Sequence, residues 1–186
     1  MHKFISINEM DKQKFIFHGL SIISWLIFVG LCIEAGGLLV NFVFSWFKPE
    51  VVAYLYQKLD MSSIYAQNRT AYWMLSSFIM SLALLKVMLF YAVIILVTKL
   101  DIQKPFSNFA SRQIRLISYY TLGIGIMSLM ARQTAQNLSH RGLELSFLDQ
   151  FWEDSQAFIL MAAVVYIIAT IFTKGMEIQN ENDLTV

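Results

Sequence analysis

Cysteine occurs once in this chain, proline twice and histidine three times, and charged residues make up only 15% of it. Each scarcity excludes a class of chemistry. With Cys32 alone there is no disulfide framework, no CxxC redox pair and no thiolate cluster for a metal. Set in the middle of an apolar run, Cys32 reads as a small core residue. His2 and His140 fall outside the apolar runs and His18 stands alone, so the facing histidines of a transmembrane haem site are missing. There is no HExxH, no Gly-rich phosphate loop, no nucleophile elbow and no pair of intramembrane aspartates. Ser76 and Ser77 have no base at a useful spacing and read as helix-packing residues. The sequence therefore predicts no catalytic residue, no cofactor and no metal site, and the chain reads as a non-enzyme. A formal charge of +1 without a basic block also argues against direct nucleic-acid binding.

What the chain has instead is apolar length: 57% of it is hydrophobic and 15% aromatic. A helix needs roughly 20 residues to cross a hydrocarbon core about 30 Å thick, at ~1.5 Å per residue. Four runs meet that need or come close, residues 15–47, 71–97, 116–135 and 156–172. Tyr72 and Trp73 stand at one end of the second, where an aromatic belt would place them. The fold expected is all-α, a single integral membrane four-helix bundle in contact with the lipid bilayer. The segment before the first run carries Glu9 and Asp11 beside three lysines and no small-residue cleavage site, so that run is expected to be retained as a span.

The connections differ in character. Residues 48–70 place Val52, Leu55, Tyr56 and Leu59 at helical spacing after Pro49, which predicts a short amphipathic helix on the membrane surface. Residues 136–154 predict another, with Leu145, Leu148, Phe151 and Trp152 on one side. Residues 98–115 are polar and basic, with Pro105 and Ser107 as helix-start signals. In the third span Ser118, Thr121, Gly125, Ser128 and Arg132 recur at spacings of three and four. Such a small, polar stripe lets helix backbones approach and donates interhelical hydrogen bonds, so this helix is expected at the centre of the bundle. Arg132, near a helix end, is expected to snorkel.

Basic residues set the orientation. Lys3, Lys12, Lys14, Lys99, Lys104, Arg112, Arg115 and Lys174 fall on one side, against Lys48, Lys58, Arg69, Arg132 and Arg141 on the other. The excess puts both termini, the connection 98–115 and the tail 173–186 in the cytoplasm and both amphipathic helices on the outer face. The membrane expected is a bacterial cytoplasmic (inner) membrane.

Besides Arg132 near a helix end, two charges lie deep inside the apolar runs, and a lone charge near the bilayer centre costs at least about 2.5 kcal/mol. Glu34 and Lys86 sit at similar depths, roughly 18 and 21 Å below the outer ends of their spans at 1.5 Å per residue. The pattern predicts an intramembrane ion pair between antiparallel neighbours, with Gly30, Glu34, Gly37 and Asn41 forming a face for close approach. Such a pair would fix helix register or act as a proton- or ligand-responsive site. The residues left unpaired, with Glu34 protonated or Lys86 facing a watery cavity, are the other reading.

Residues 100–118, LDIQKPFSNFASRQIRLIS, and 175–186, GMEIQNENDLTV, resemble the two signature regions of a bacterial membrane family, the domain of unknown function 2975 (DUF2975). Its members are similar in length, have four spans and end the last in a Gly-x-x-x-Gln-x-Glu-x-Asp-Leu-Thr-hydrophobic pattern. Gly175, Gln179, Glu181, Asp183, Leu184, Thr185 and Val186 match it here, and the resemblance is expected to extend over essentially the whole chain. It implies no assigned activity. Because members are often encoded beside a small helix-turn-helix regulator, it implies such a protein as partner. The expected contact surface is cytoplasmic, with Lys104, Pro105, Phe106, Arg112 and Arg115 beside Glu177, Gln179, Glu181, Asp183 and Leu184, the arginines and the acids being electrostatic neighbours. The alternatives are a small transporter, channel or protective membrane protein using Glu34 and Lys86, which with four helices would need at least a homodimer, or a structural subunit of a larger complex.

Overall fold

Asn68 and Ser107 decide where two of the long helices begin. Each is extended in backbone conformation and accepts a hydrogen bond from an otherwise unpaired amide, Asn68 from Ala71 at 3.1 Å and Ser107 from Ala110 at 3.2 Å. The computed structural model describes the backbone of residues 2–48, 50, 59–101 and 104–183, and the side chains of 15–48, 50, 59–101 and 104–181. Its helices are α1 (His2–Phe47), α2 (Ser62–Gln67), α3 (Arg69–Lys99), α4 (Asn108–Ser139) and α5 (Ser155–Asp183), with a 3-10 helix at Ser146–Phe151. Four of these, α1, α3, α4 and α5, are long and apolar enough to cross a membrane.

Long helices adjacent in sequence pack on each other, α1 on α3, α3 on α4 and, most extensively, α4 on α5. All three pairs are antiparallel. Phe28 meets Tyr91 and Phe42 meets Trp73 across α1 and α3, Gly123 faces Leu85 across α3 and α4, and Ser118 reaches Ala162 across α4 and α5. α4 thus lies between two partners and is the most buried of the four, while α1 is the least.

α1 meets α3 along Ser24, Phe28, Leu31, Ala35, Leu38, Phe42 and Ser45, all buried or half-buried. Their spacing alternates between four and three residues, the repeat of a left-handed helix seam. The small members Ser24, Ala35 and Ser45 are the most deeply buried, and both serines turn their hydroxyls back to their own helix, on Leu20 and Phe42 carbonyls at 2.8 Å. The rest of α1 carries exposed Ile22, Leu26, Ile33 and Val40, the surface a bilayer would cover. Cys32 belongs to it: it is exposed, not a core residue.

The densest core lies at the bundle end that carries α2 and the 3-10 helix. Leu59, Met61 and Ile64 join Tyr72, Leu75 and Ile79 of α3, Ala131, Ala135 and Leu138 of α4, and Leu148 and Trp152. At this end the connections seal the bundle. Their expected form is only partly met. α4 runs on to Ser139 and stops where Gly142 takes a positive φ of 91° that suits glycine, so the surface helix expected within 136–154 is reduced to the 3-10 helix. Val52, Leu55 and Tyr56 lie outside the described residues. At the opposite end α4 begins at Asn108, well before residue 116, and α5 continues past residue 172 to Asp183.

Candidate functional site

The two interior charges are not brought together. Glu34 and Lys86 are both half-buried, and neither makes a hydrogen bond or an ion pair among the described residues. The aromatic contacts of α1 with α3 place Glu34 about level with Ala83, only about one turn from Lys86, so depth is not the obstacle. Rotation is. Glu34 stands one residue, about 100° of helix, to the side of the Ala35 seam position. Lys86 continues the line of Leu75, Ile79 and Leu82, whose first two members share their core with α4. Of the face expected beside Glu34, Gly30 is exposed and has open space where a Cβ would go, while Gly37 and Asn41 are half-buried.

The polar stripe of α4 is a packing surface. Ser118, Thr121, Gly125 and Ser128 are buried. Ser118 donates its hydroxyl proton to the Ala162 carbonyl at 2.9 Å, and Thr121 donates to Ile117 of its own helix at 2.7 Å. At Gly125 a Cβ would stand 2.6 Å from Ile159 Cγ1 and 3.1 Å from the Ile159 amide nitrogen, so α5 is seated against bare α4 backbone. Arg132, the last of the stripe, is exposed and shares a cleft of about 280 Å³ with Asp149 and Glu153, without an ion pair to either.

The remaining residues converge at the end of the bundle where α4 starts and α5 finishes. Thr173 of α5 faces Ser111 and Arg115 of α4, with oxygen–oxygen distance 2.6 Å to Ser111 and 3.2 Å to Arg115 Nη2. Its own proton goes to the Ala169 carbonyl at 3.0 Å, so Ser111 and Arg115 are the donors to it and the hydroxyl is fully used. Just outside, the Phe106 ring packs on Phe172, with centroids 5.3 Å apart, and covers Gly175, where a Cβ would come within 2.6 Å of the ring. Asn108, Ser111, Arg112, Arg115 and Thr173 line a cleft of about 430 Å³.

Lys104, Phe106, Arg112, Glu177 and Glu181 are exposed here, and Pro105 and Gln179 are half-buried. Among the described residues, however, the arginines do not pair with Glu177. Arg115 bonds to the Thr173 hydroxyl, Arg112 has no hydrogen bond or ion pair among the described residues, and Glu177 pairs with Lys174 of its own helix at 2.6 Å. Register explains this. With Ser111 opposite Thr173, Glu177 comes level with Ser107, about one and a half turns beyond Arg112 and more than two beyond Arg115. The Asp183 side chain and Leu184 lie outside the described residues. Sequence reasoning missed Ser111, Thr173 and Asn108, and a Ser and a Thr at helix ends carry no signal of their own until the register is known.

No curated protein and no solved structure matches the chain. The family model described as a protein of unknown function, DUF2975, matches residues 54–186, which take in α2 to α5 and both signature stretches and leave out α1, where the resemblance was expected to cover essentially the whole chain. Four helices fit to cross a membrane and a match over most of the chain make this a multi-pass membrane protein that belongs to the DUF2975 family.

Proposed function

We propose that this is a regulatory membrane protein whose Thr173 end faces the cytoplasm and docks a small helix-turn-helix transcription regulator. One observation supports the reading most directly. The two stretches that carry the family resemblance, far apart in the chain, close on each other through Phe106 and Gly175 and form one surface. That surface is apolar where water is expected. Ile178, about 9 Å past Phe172 along α5, is 59% exposed, and Phe106 is 40% exposed, between the exposed charges of Arg112 and Glu177. An exposed apolar centre with a charged rim is the composition of a protein contact. The basic residues argue for the cytoplasmic side. A conduit has less to build on, because Ser118, Thr121, Gly125 and Ser128 are taken up by α4–α5 packing.

The test is a purification of the tagged protein from its own membranes in a gentle detergent, beside the surface variant Ile178→Glu, with mass spectrometry of the eluates. The reading expects a small helix-turn-helix protein with the native chain and its loss with the variant. Its absence from well-folded native protein, or its equal recovery with both, contradicts the reading.

A further inference from the structure

We propose that the cleft between the start of α4 and the end of α5 binds the phosphate of an anionic phospholipid headgroup, gripped by Arg112 and Arg115. The inference does not rest on the regulator reading. The cleft, about 430 Å³, is lined by Asn108, Ser111, Arg112, Arg115 and Thr173, so it carries two guanidinium groups, an amide and two hydroxyls and no carboxylate. Among the described residues no carboxylate pairs with its cations. Arg112 has no partner among the described residues, and Arg115 uses one N–H on the Thr173 hydroxyl, which leaves most of its donors open. The nearest candidate acid on α5, Glu177, is held by Lys174.

Geometry favours a phosphate. Residues three apart on a helix share a face, so the two arginines repel each other until an anion sits between them. The planar guanidinium matches phosphate oxygens in pairs, which an ammonium cannot do. Arg115 is held in place by the Ser111–Thr173 contact, so little ordering remains to oppose binding. Position favours a lipid over a soluble phosphate. The arginines stand immediately before Leu116, where the apolar part of α4 begins, at the level of the headgroups. On the cytoplasmic side, where the basic residues put this end, the leaflet is anionic and basic pockets between helices recruit such headgroups. The Phe106–Phe172 pair supplies an apolar wall beside it.

The experiment measures thermal unfolding and native mass spectra of the purified protein in a neutral detergent. Phosphatidylglycerol, phosphatidylcholine and inorganic phosphate are added in separate arms, to the native chain and to Arg112→Gln, Arg115→Gln and the double variant. Phosphatidylglycerol is expected to remain bound in the gas phase and to raise the unfolding temperature, with the other two additives inert. Each single variant is expected to weaken that binding about tenfold, the loss of a charge-assisted contact, and the double variant to abolish it. Arg112→Gln removes no hydrogen bond or ion pair among the described residues, so its effect reads binding even if the other variants fold poorly. Equal stabilisation by phosphatidylcholine, or unchanged phosphatidylglycerol binding in Arg112→Gln, overturns the site. Stabilisation by inorganic phosphate matching that by phosphatidylglycerol overturns the lipid assignment.

Discussion

Ser111 on α4 gives its hydroxyl proton to Thr173 on α5 across 2.6 Å, and this one contact sets the register of the two helices where they leave the membrane. The consequences reach both signature stretches. Phe106 is brought over Gly175, Arg112 and Arg115 are left facing a cleft whose lining has no carboxylate, and Glu177 of α5 is carried past them. Among the described residues the clasp is made of two hydroxyls, a guanidinium and two rings, not of salt bridges between the arginines and Glu177.

Gly175 is predicted to resist even a methyl group. In Gly175→Ala the new Cβ would meet the Phe106 ring at 2.6 Å, and such overpacking costs about 1–3 kcal/mol. Truncating the ring in Phe106→Ala should remove most of the penalty. A double-mutant cycle of unfolding midpoints checks this, and additive losses would count against the contact.

Gly125 is predicted to behave likewise at the centre of the α4–α5 interface. Gly125→Ala should separate the helices and lose about 1–3 kcal/mol, because two of the three nearest atoms belong to backbone and cannot turn aside. Ile159→Ala relieves only the side-chain clash at 2.6 Å, so the expected rescue is partial. Unfolding midpoints of the two single variants and the double one measure it, and full rescue would place the clash in the side chain alone.

Glu34 and Lys86 are predicted to act independently. Since they form no ion pair, the effects of Glu34→Gln and Lys86→Met on unfolding should add to within about 0.5 kcal/mol. A coupling above about 1 kcal/mol would show that the two charges do meet.

Asp60 is predicted to titrate low. The Ser62 hydroxyl, and then the Ser62 amide, donate to the Asp60 carboxylate and hold its pKa below the ordinary value. A carboxyl whose folded pKa is lowered stabilises the fold above its unfolded pKa, and that contribution is lost as pH falls through the folded value. Carboxyl titration by NMR should show the depression in the native chain and its reduction in Ser62→Ala. An Asp60 pKa unmoved by the substitution would contradict the assignment.

Hydropathy made the helices legible, because length and apolarity are properties of one segment at a time. The runs 71–97 and 116–135 fall inside α3 and α4, and Ser107 caps α4 as a start signal should. Lateral partners were legible only where small or polar residues repeat, as at Ser118, Thr121, Gly125 and Ser128. Leucine and phenylalanine suit lipid as well as protein, so they do not mark a contact face. The heptad of Ser24, Ala35 and Ser45 on α1 was a signal of the same kind, masked by Glu34 and the glycines beside it. Cys32 misled for the same reason: burial statistics from water-soluble cores say little about a helix whose outside is lipid. Depth placed Glu34 and Lys86 within a turn but carried no information about rotation. Charge sign could not pair Arg112 with Glu177, because the pairing depends on the α4–α5 register, which uncharged contacts such as Ser111–Thr173 and Ser118–Ala162 fix.

The account depends most on which side of the membrane the Thr173 end occupies, and a topology measurement tests that directly. In a Cys32→Ser background, single cysteines at Ile178 and at Glu144, both exposed and at opposite ends of the bundle, are offered a membrane-impermeant maleimide in intact spheroplasts. The account predicts labelling of Glu144→Cys at once and of Ile178→Cys only after the membrane is permeabilised. Prompt labelling of Ile178→Cys in intact spheroplasts would place this end outside and contradict both the regulator surface and the inner-leaflet phosphate site.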